Sequence, residues 1–377
     1  MIYFDNAAST KPCVEVLDIF YHEALNNYAN PSSSHHFALN NFFAIEKARR
    51  AILNSLNLDY KIYEVNFLSG ATEANNLGII GFAHAFKNRG RHLITSAIEH
   101  SSVLRSFQEL EKEGFEVTYL KPNLDGFINL AELEKAIKKD TILISIMGVN
   151  NEVGSIFNVE EISKIAREKN IVFHSDVAQG LGKVDFNYND FDMMTLSGQK
   201  IHSLKGIGLL IKKKKIRLEN LSFGGNQENK IRSGTQDYPS IMALTKGIEL
   251  ITKNREKNYQ LVDEISKYMI TELNKIKEIK LHLYKRMSFY ILNISFHTKK
   301  ASVIVEALSN EGIYVSSMSA CSEKEAQESG VLKAFEEDQF AAGNAIRISF
   351  GIYNTVDEAK KFIEVLKKIL INVKGVR

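Results

Sequence analysis

The feature that most constrains this chain is an alternation running through its first two-thirds. Short apolar, β-branched runs are separated by amphipathic helical runs. "EVNFLS" precedes "TEANNLGIIGFAHAFKN", "HLITS" precedes "SSVLRSFQELEKEG", and "FEVTYL" precedes "NLAELEKAIKK". "TILISIM", "VEEISKIAREKN", "IVFHSD", "FDMMTLS" and "GIGLLI" continue the series. Strands this apolar are buried on both faces, and helices between them make them run parallel. The pattern predicts an α/β fold, with a mainly parallel sheet covered by helices on both sides.

The pattern changes near residue 237. Residues 237–278 read as one long helical segment joining two domains. "SFYILNISF", "SVIVEALSNEG", "IYVSS", "AIRISFG" and "TVDEAKKFIEVLKKILINV" then read as a smaller α/β unit. A length of 377 residues agrees with two domains.

A net charge of +3 gives no argument for nucleic acid or a membrane surface as partner. The run "KKKK" at 212–215 reads as a solvated strand end. Two cysteines argue against a disulfide framework and point to a reducing compartment. Cys13 reads as a small packing residue. The start "MIYFDNAAST" lacks a basic region followed by an apolar one, and no run reaches the ~20 apolar residues of a membrane span. A cytoplasmic protein is expected. Cys321 stands apart, among the small and polar residues of "VSSMSACSEKEAQESG". A thiol kept for packing would more often be buried.

Ligands of open parallel sheets collect at the carboxyl ends of the strands, so the residues there are read together. After "EVNFLS" come Gly70, Ala71 and Thr72, which suit a phosphate at a helix N-terminus but also a simple cap. After "HLITS" comes His100, which alone would more often be structural. Asn150, Asn151 and Glu152 follow "TILISIM", where buried polar groups need partners. Asp176, with Gln179 beyond it, ends an apolar strand where a carboxylate needs a cation. Gly198, Gln199 and Lys200 follow "FDMMTLS", at a place where lysine is seldom found. Pyridoxal phosphate accounts for all of these. It needs a lysine for its Schiff base, an acid opposite its pyridinium nitrogen and a phosphate cradle.

The chain also resembles cysteine desulfurases of the NifS/IscS type. The resemblance is carried by "YFDNAAST", "NPSSSHHFA", "SGATEANN", "HLITSAIEHSSVL", "TILISIMGVNNEVG", "FHSDVAQGLGK", "SGQKIHSLKGIG", "RSGTQD", "SSMSAC" and "IRISFG", in order over nearly the whole length. It implies a fold-type I pyridoxal-phosphate dimer with a seven-stranded, mainly parallel sheet. A large domain would span 12–252, and a small one 253–377 with 1–11, carrying the Cys321 loop. The resemblance implies that Lys200 binds the cofactor covalently, Asp176 pairs its pyridinium nitrogen, and His100 stacks on its ring and shuttles protons. Asn151 and Gln179 would lie beside the ring. Ala71, Thr72, Ser197 and Gln199 would hold the phosphate, with Thr235 from the other subunit. Arg347 would bind the substrate carboxylate, with Asn151 near the substrate. Cys321 would take the sulfur of L-cysteine as a persulfide and pass it to an acceptor or iron–sulfur scaffold protein, leaving L-alanine.

The chain departs from the family pattern at several positions. Gln199 stands in place of His, and Ser203-Leu204 in place of Gly-Pro. Asn226-Gln227 replace a Gly-His pair, and Met318 and Ala38 replace glycines. "SSSHH" reads as no metal site, because adjacent histidines do not share a face. Two alternatives stay open at this point: a related lyase or aminotransferase on selenocysteine or another amino acid, and a non-catalytic sulfur-relay scaffold. Retention of Lys200, Asp176, His100 and Cys321 together speaks against the scaffold.

Overall fold

The computed structural model describes residues 1–317, 329–335 and 339–373. The strands in chain order are β1 (Ile2–Tyr3), β2 (Tyr63–Leu68), β3 (His92–Ser96), β4 (Glu116–Leu120), β5 (Thr141–Ser145), β6 (Val172–Asp176), β7 (Met193–Ser197) and β8 (Gly208–Lys213). They continue with β9 (Ile279–His282), β10 (Ile291–Phe296), β11 (Ile313–Tyr314), β12 (Ser316–Ser317) and β13 (Ala345–Ser349). Among the described residues, seven strands form the large sheet in the order β2-β8-β7-β6-β5-β3-β4. All its pairs are parallel except those made by β8, which runs against β2 and β7.

Both faces of this sheet are buried, which explains the unbroken apolar runs. Successive residues alternate between two cores, as the period of a strand requires. Ile94, Ile144 and Leu209 pack with the helices His36–Ser55, Val159–Glu168 and Tyr238–Lys253. Leu93, Leu143 and Leu210 pack with Leu77, Phe82, Val103 and Phe107 on the other side. The segment 71–86 there is not one α-helix, because a π-helical turn, Leu77–Gly81, interrupts it.

A second, antiparallel sheet has the order β12-β13-β10-β9. Its core gathers Val262, Ile265 and Met269 with Ile294, Ile348, Phe362 and Leu366. Phe4 joins this core from the N-terminus, and β1 pairs in parallel with β11.

Two expectations are corrected. The segment 237–278 is two helices, Tyr238–Lys253 and Arg255–Leu273, separated at Asn254. The Asn254 side chain donates to the Leu250 carbonyl at 2.9 Å, the competition with helix bonding that asparagine offers. The "KKKK" run is solvated only at Lys214 and Lys215. Lys212 is buried against Glu64 at 2.6 Å, and Lys213 pairs with Asp192 at 2.7 Å. Cys13 is buried beside Val16 and Ala243, as a packing residue should be.

Buried histidines tie this fold to pH. Burial pushes His174 and His202 down to about 4 and lowers His92. An unfolded chain binds protons at these rings near pH 6.5, while the folded chain does not. Stability is therefore present above that pH and lost as pH falls from 6.5 toward 4. His202 has φ 59, a left-handed conformation that asparagine also adopts. Between pH 7 and pH 5, His202→Asn should lose up to about 2 kcal/mol less stability than the parent in denaturant titrations. An equal loss in both would contradict this account.

Candidate active site

The carboxyl ends of β2, β3, β5, β6 and β7 open on one cavity of about 460 Å³. Ligand cavities are commonly this large. Lys200, His100, Asp176, Gln179 and Asn151 line it, with Arg347 entering from β13. Ala71 and Thr72 line it with Ser197 and Gln199. Two of the expected residues are not placed there. Thr235 lines a neighbouring cleft, which shares Ser69 and Gly206 with the cavity. Cys321 lies outside the described residues, as does Met318.

The small-residue end of the cavity is set by close packing. A Cβ on Gly208 would lie 2.5 Å from the Leu196 carbonyl oxygen and 2.6 Å from the Gly70 Cα. A glycine there lets the start of the helix Ala71–Asn76 approach the sheet edge. Its first backbone N–H groups have no partner within the helix and suit an anion. The Ser197 hydroxyl lies on the same side, 3.8 Å from where a Gly70 Cβ would sit.

Asp176 is held from two sides. Its Oδ1 accepts from the Ala178 N–H at 2.9 Å, and its Oδ2 from Asn75 Nδ2 at 2.8 Å. Asn75 also donates to Ser102 Oγ at 2.9 Å and accepts from Thr195 Oγ1 at 2.5 Å. His100 caps the helix Ser101–Lys112, its Nδ1 accepting from the Ser102 N–H at 3.1 Å. Its ring is walled by protein yet opens on the cavity. Burial lowers its affinity for a proton; the Asp176 charge opposes this, and the Lys200 charge adds a smaller push in the same direction as burial.

Segment 5–10 completes the cavity. Lys200 Nζ donates to the carbonyls of Ala7 and Ala8, both at 2.7 Å. Arg347 pairs with Asp5 at 2.8 Å and donates to the Asn151 carbonyl at 3.0 Å. Gln179 Nε2 donates to the Ala7 carbonyl at 2.8 Å, and its Oε1 accepts from Lys183 Nζ at 3.3 Å. Lys183 is buried, with the Tyr290 ring 5.7 Å away. Burial, with Lys200 and Arg347 nearby, pulls its amine down to about 7. Behind His100, Glu99 accepts from Ser96 at 2.6 Å and from the Met147 N–H at 2.9 Å. Burial pushes its carboxyl up to about 8, which favours the uncharged form at neutral pH.

Sequence reasoning missed Asp5, Ala7, Ala8, Asn75, Ser102 and Lys183. All of them stand in stretches that carry the resemblance, so the signal was present without a role attached. Asn150, read with Asn151 as a polar pair needing partners, serves the backbone. It donates to the Ile98 carbonyl and accepts from the N–H groups of Glu152 and Val153.

The sequence matches the aminotransferase class-V family over residues 2–362. A cysteine desulfurase IscS of Dictyoglomus turgidum is 38% identical over 374 residues, covering 98% of this chain and 94% of that protein. Among solved structures, a NifS-like protein superposes with a TM-score of 0.92 at 32% identity, over 99% of this chain and 100% of that one. SspA, solved in complex with cysteine, superposes with a TM-score of 0.82 at 32% identity, over 94% of this chain and 100% of that one.

Proposed function

We propose that this chain, which belongs to the aminotransferase class-V family, is a pyridoxal-phosphate-dependent cysteine desulfurase that converts L-cysteine to L-alanine and passes the sulfur to Cys321. The observation that carries the reading is the meeting of Lys200, Asp176, His100 and Arg347 in one cavity. The IscS name of a full-length relative and the cysteine bound by SspA support the substrate.

The donor set fits the cofactor. An anion cradle at Ala71, Thr72, Ser197 and Gln199, a carboxylate at Asp176 and an amine at Lys200 share one cavity of suitable volume. When bound, pyridoxal phosphate supplies an electron sink for a carbanion next to its ring. Lys200 would hold the cofactor and then move protons from the amine now resting on the Ala7 and Ala8 carbonyls. Asp176 would face the pyridinium nitrogen, Gln179 would bind the phenolic oxygen, and His100 would cover the ring. Arg347 would bind the substrate carboxylate through its planar fork, with Asp5 as its counter-ion and Asn151 beside it. Thr235 would serve the phosphate of the partner subunit, consistent with its absence from this chain's own cavity.

Cys321 would attack the substrate sulfur as a thiolate. An S–S bond forms as the Cβ–S bond breaks, and the carbon takes the electron pair and a proton to give alanine. Chain length allows the thiol to reach the cavity. Ser317 ends β12, whose Ser316 lines the cavity, and Cys321 is four residues further on. Four residues span at most about 14 Å. On the far side, Ser329 donates to Glu152 Oε2 at 2.7 Å, next to Asn151. We assign the thiol to a small domain of residues 253–377 with 1–11, packed against a large one of 12–252. The persulfide would serve an acceptor protein for iron–sulfur assembly or for thiolation of tRNA or cofactors. No helix of the described residues is long and apolar enough to cross a membrane. The cytoplasm is the proposed compartment, which cell fractionation would check.

A dimer is part of the proposal. Val14, Leu17, Tyr21 and Leu25 follow one another at helical spacing on the helix Val14–Asn26 and stay exposed, Tyr21 at 71%, and Tyr28 just past its end is 77% exposed. A stripe this apolar marks an interface, which we assign to a second copy of the chain. A Tyr21→Lys, Leu25→Lys double variant should be a monomer by light scattering, and an unchanged dimer would contradict that assignment.

Two measurements test the chemistry. After borohydride reduction, the cofactor mass should be found on the peptide containing Lys200, and Lys200→Ala should form no alanine. A different labelled lysine, or turnover in the variant, would refute the reading. Arg347→Gln should raise KM for L-cysteine about 10- to 100-fold, the cost of one charge-assisted pair, with a smaller change in kcat.

A further inference from the structure

Asn75 joins the acid to the ring that would cover the cofactor. It is fully buried, and its amide reaches both Asp176 and Ser102. A carboxylate only accepts hydrogen bonds, so the amide must turn its NH2 toward Asp176 Oδ2, 2.8 Å away. Its second amide hydrogen then points to Ser102 Oγ at 2.9 Å. Thr195 Oγ1, at 2.5 Å, donates to the amide oxygen and holds this orientation. Ser102 Oγ, accepting from Asn75, has one hydrogen of its own to place. His100 Nδ1 is 2.8 Å away and takes it. The backbone N–H of Ser102 points at the same nitrogen from 3.1 Å. A ring nitrogen facing two donors carries no hydrogen, and a neutral imidazole carries one, so that hydrogen is on Nε2.

We infer that Asn75 is a positioning residue that, through Ser102, fixes His100 as the Nε2–H tautomer, so that His100 presents a hydrogen-bond donor and not a lone pair to the cavity. The inference rests on the reading of Asp176 and His100 as cofactor residues. It sharpens the expectation that His100 shuttles protons. In the resting protein the ring has no free lone pair at Nε2 to receive a proton. Protonating Nδ1 would displace both donors and the cap of the helix Ser101–Lys112, in keeping with the lowered proton affinity of the ring. His100 therefore enters the reaction by donating a hydrogen bond to an anion, and removal of a substrate proton falls to the Lys200 amine.

The test is nitrogen-15 NMR of the holoenzyme labelled at histidine, with His100 assigned by the signals lost in His100→Gln. Two-bond proton–nitrogen correlations distinguish the tautomers. The inference predicts the Nε2–H pattern for His100. An Nδ1–H pattern, or equal amounts of both, overturns it. Once His100 is assigned, the parent spectrum decides the tautomer whether or not the Asn75 variant folds. Asn75→Ala should then shift His100 toward a mixture, and Ser102→Ala, which removes the hydroxyl through which Asn75 acts, should do the same. An unchanged pattern in either folded variant overturns the role of Asn75. Withdrawal of pyridoxal phosphate should move the His100 ring signals. If it does not, the placing of His100 over the cofactor fails, while the tautomer in the same spectrum still decides this inference.

Discussion

The site depends on how three cations are kept close together out of bulk water. Lys200 and Arg347 both act on the buried Lys183, and burying such groups is costly unless oxygen atoms meet them. Segment 5–10 supplies those oxygens. The carbonyls of Ala7 and Ala8 take Lys200, the Asp5 carboxylate takes Arg347, and the Ala7 carbonyl also orients Gln179, which in turn accepts from Lys183. The segment is itself anchored at both ends. Ala7 N–H donates to Ser349 Oγ at 2.9 Å on one side, and Thr10 N–H to the Gln199 carbonyl at 2.8 Å on the other. One short stretch thus fixes β13 of the small sheet to the turn that carries Lys200. The residue that would bind a substrate carboxylate and the residue that would hold the cofactor are placed relative to each other by this strap.

Burial weakens the charge of the groups around this centre that do not face a partner charge. Glu99 is raised to about 8 and Lys183 lowered to about 7, and His100 is biased toward its uncharged form. The groups assigned to bind charge each meet a complement instead. Asp176 has an amide and a backbone N–H, and Arg347 has Asp5. This separation lets one small cavity offer an acid, an amine and a carboxylate site without their cancelling.

Much of this was legible in the sequence. Strands buried on both faces leave uninterrupted apolar runs, so the large sheet could be read, and the residues after each run fell on its active edge. Lys200, Asp176, His100, Gln179 and Asn151 were found in that way. Segment 5–10 was not, because its work is done by main-chain carbonyls, which every residue carries and no side chain advertises. Asn75 was hidden for a related reason. An asparagine in a helix is ordinary, and only the fold brings it to a carboxylate 101 residues away. The break at Asn254 escaped because neither proline nor glycine marks it. Thr235, expected at the phosphate, lines a neighbouring cleft of this chain.

The central claim is that this cavity moves the sulfur of L-cysteine onto one thiol. The direct test is a single turnover of the holoenzyme with L-cysteine, with the products and the Cys321 peptide analysed by mass spectrometry. The account predicts one L-alanine formed and one added sulfur atom on Cys321 for each active site. Pyruvate and ammonia in place of alanine, or alanine without sulfur on Cys321, would contradict it.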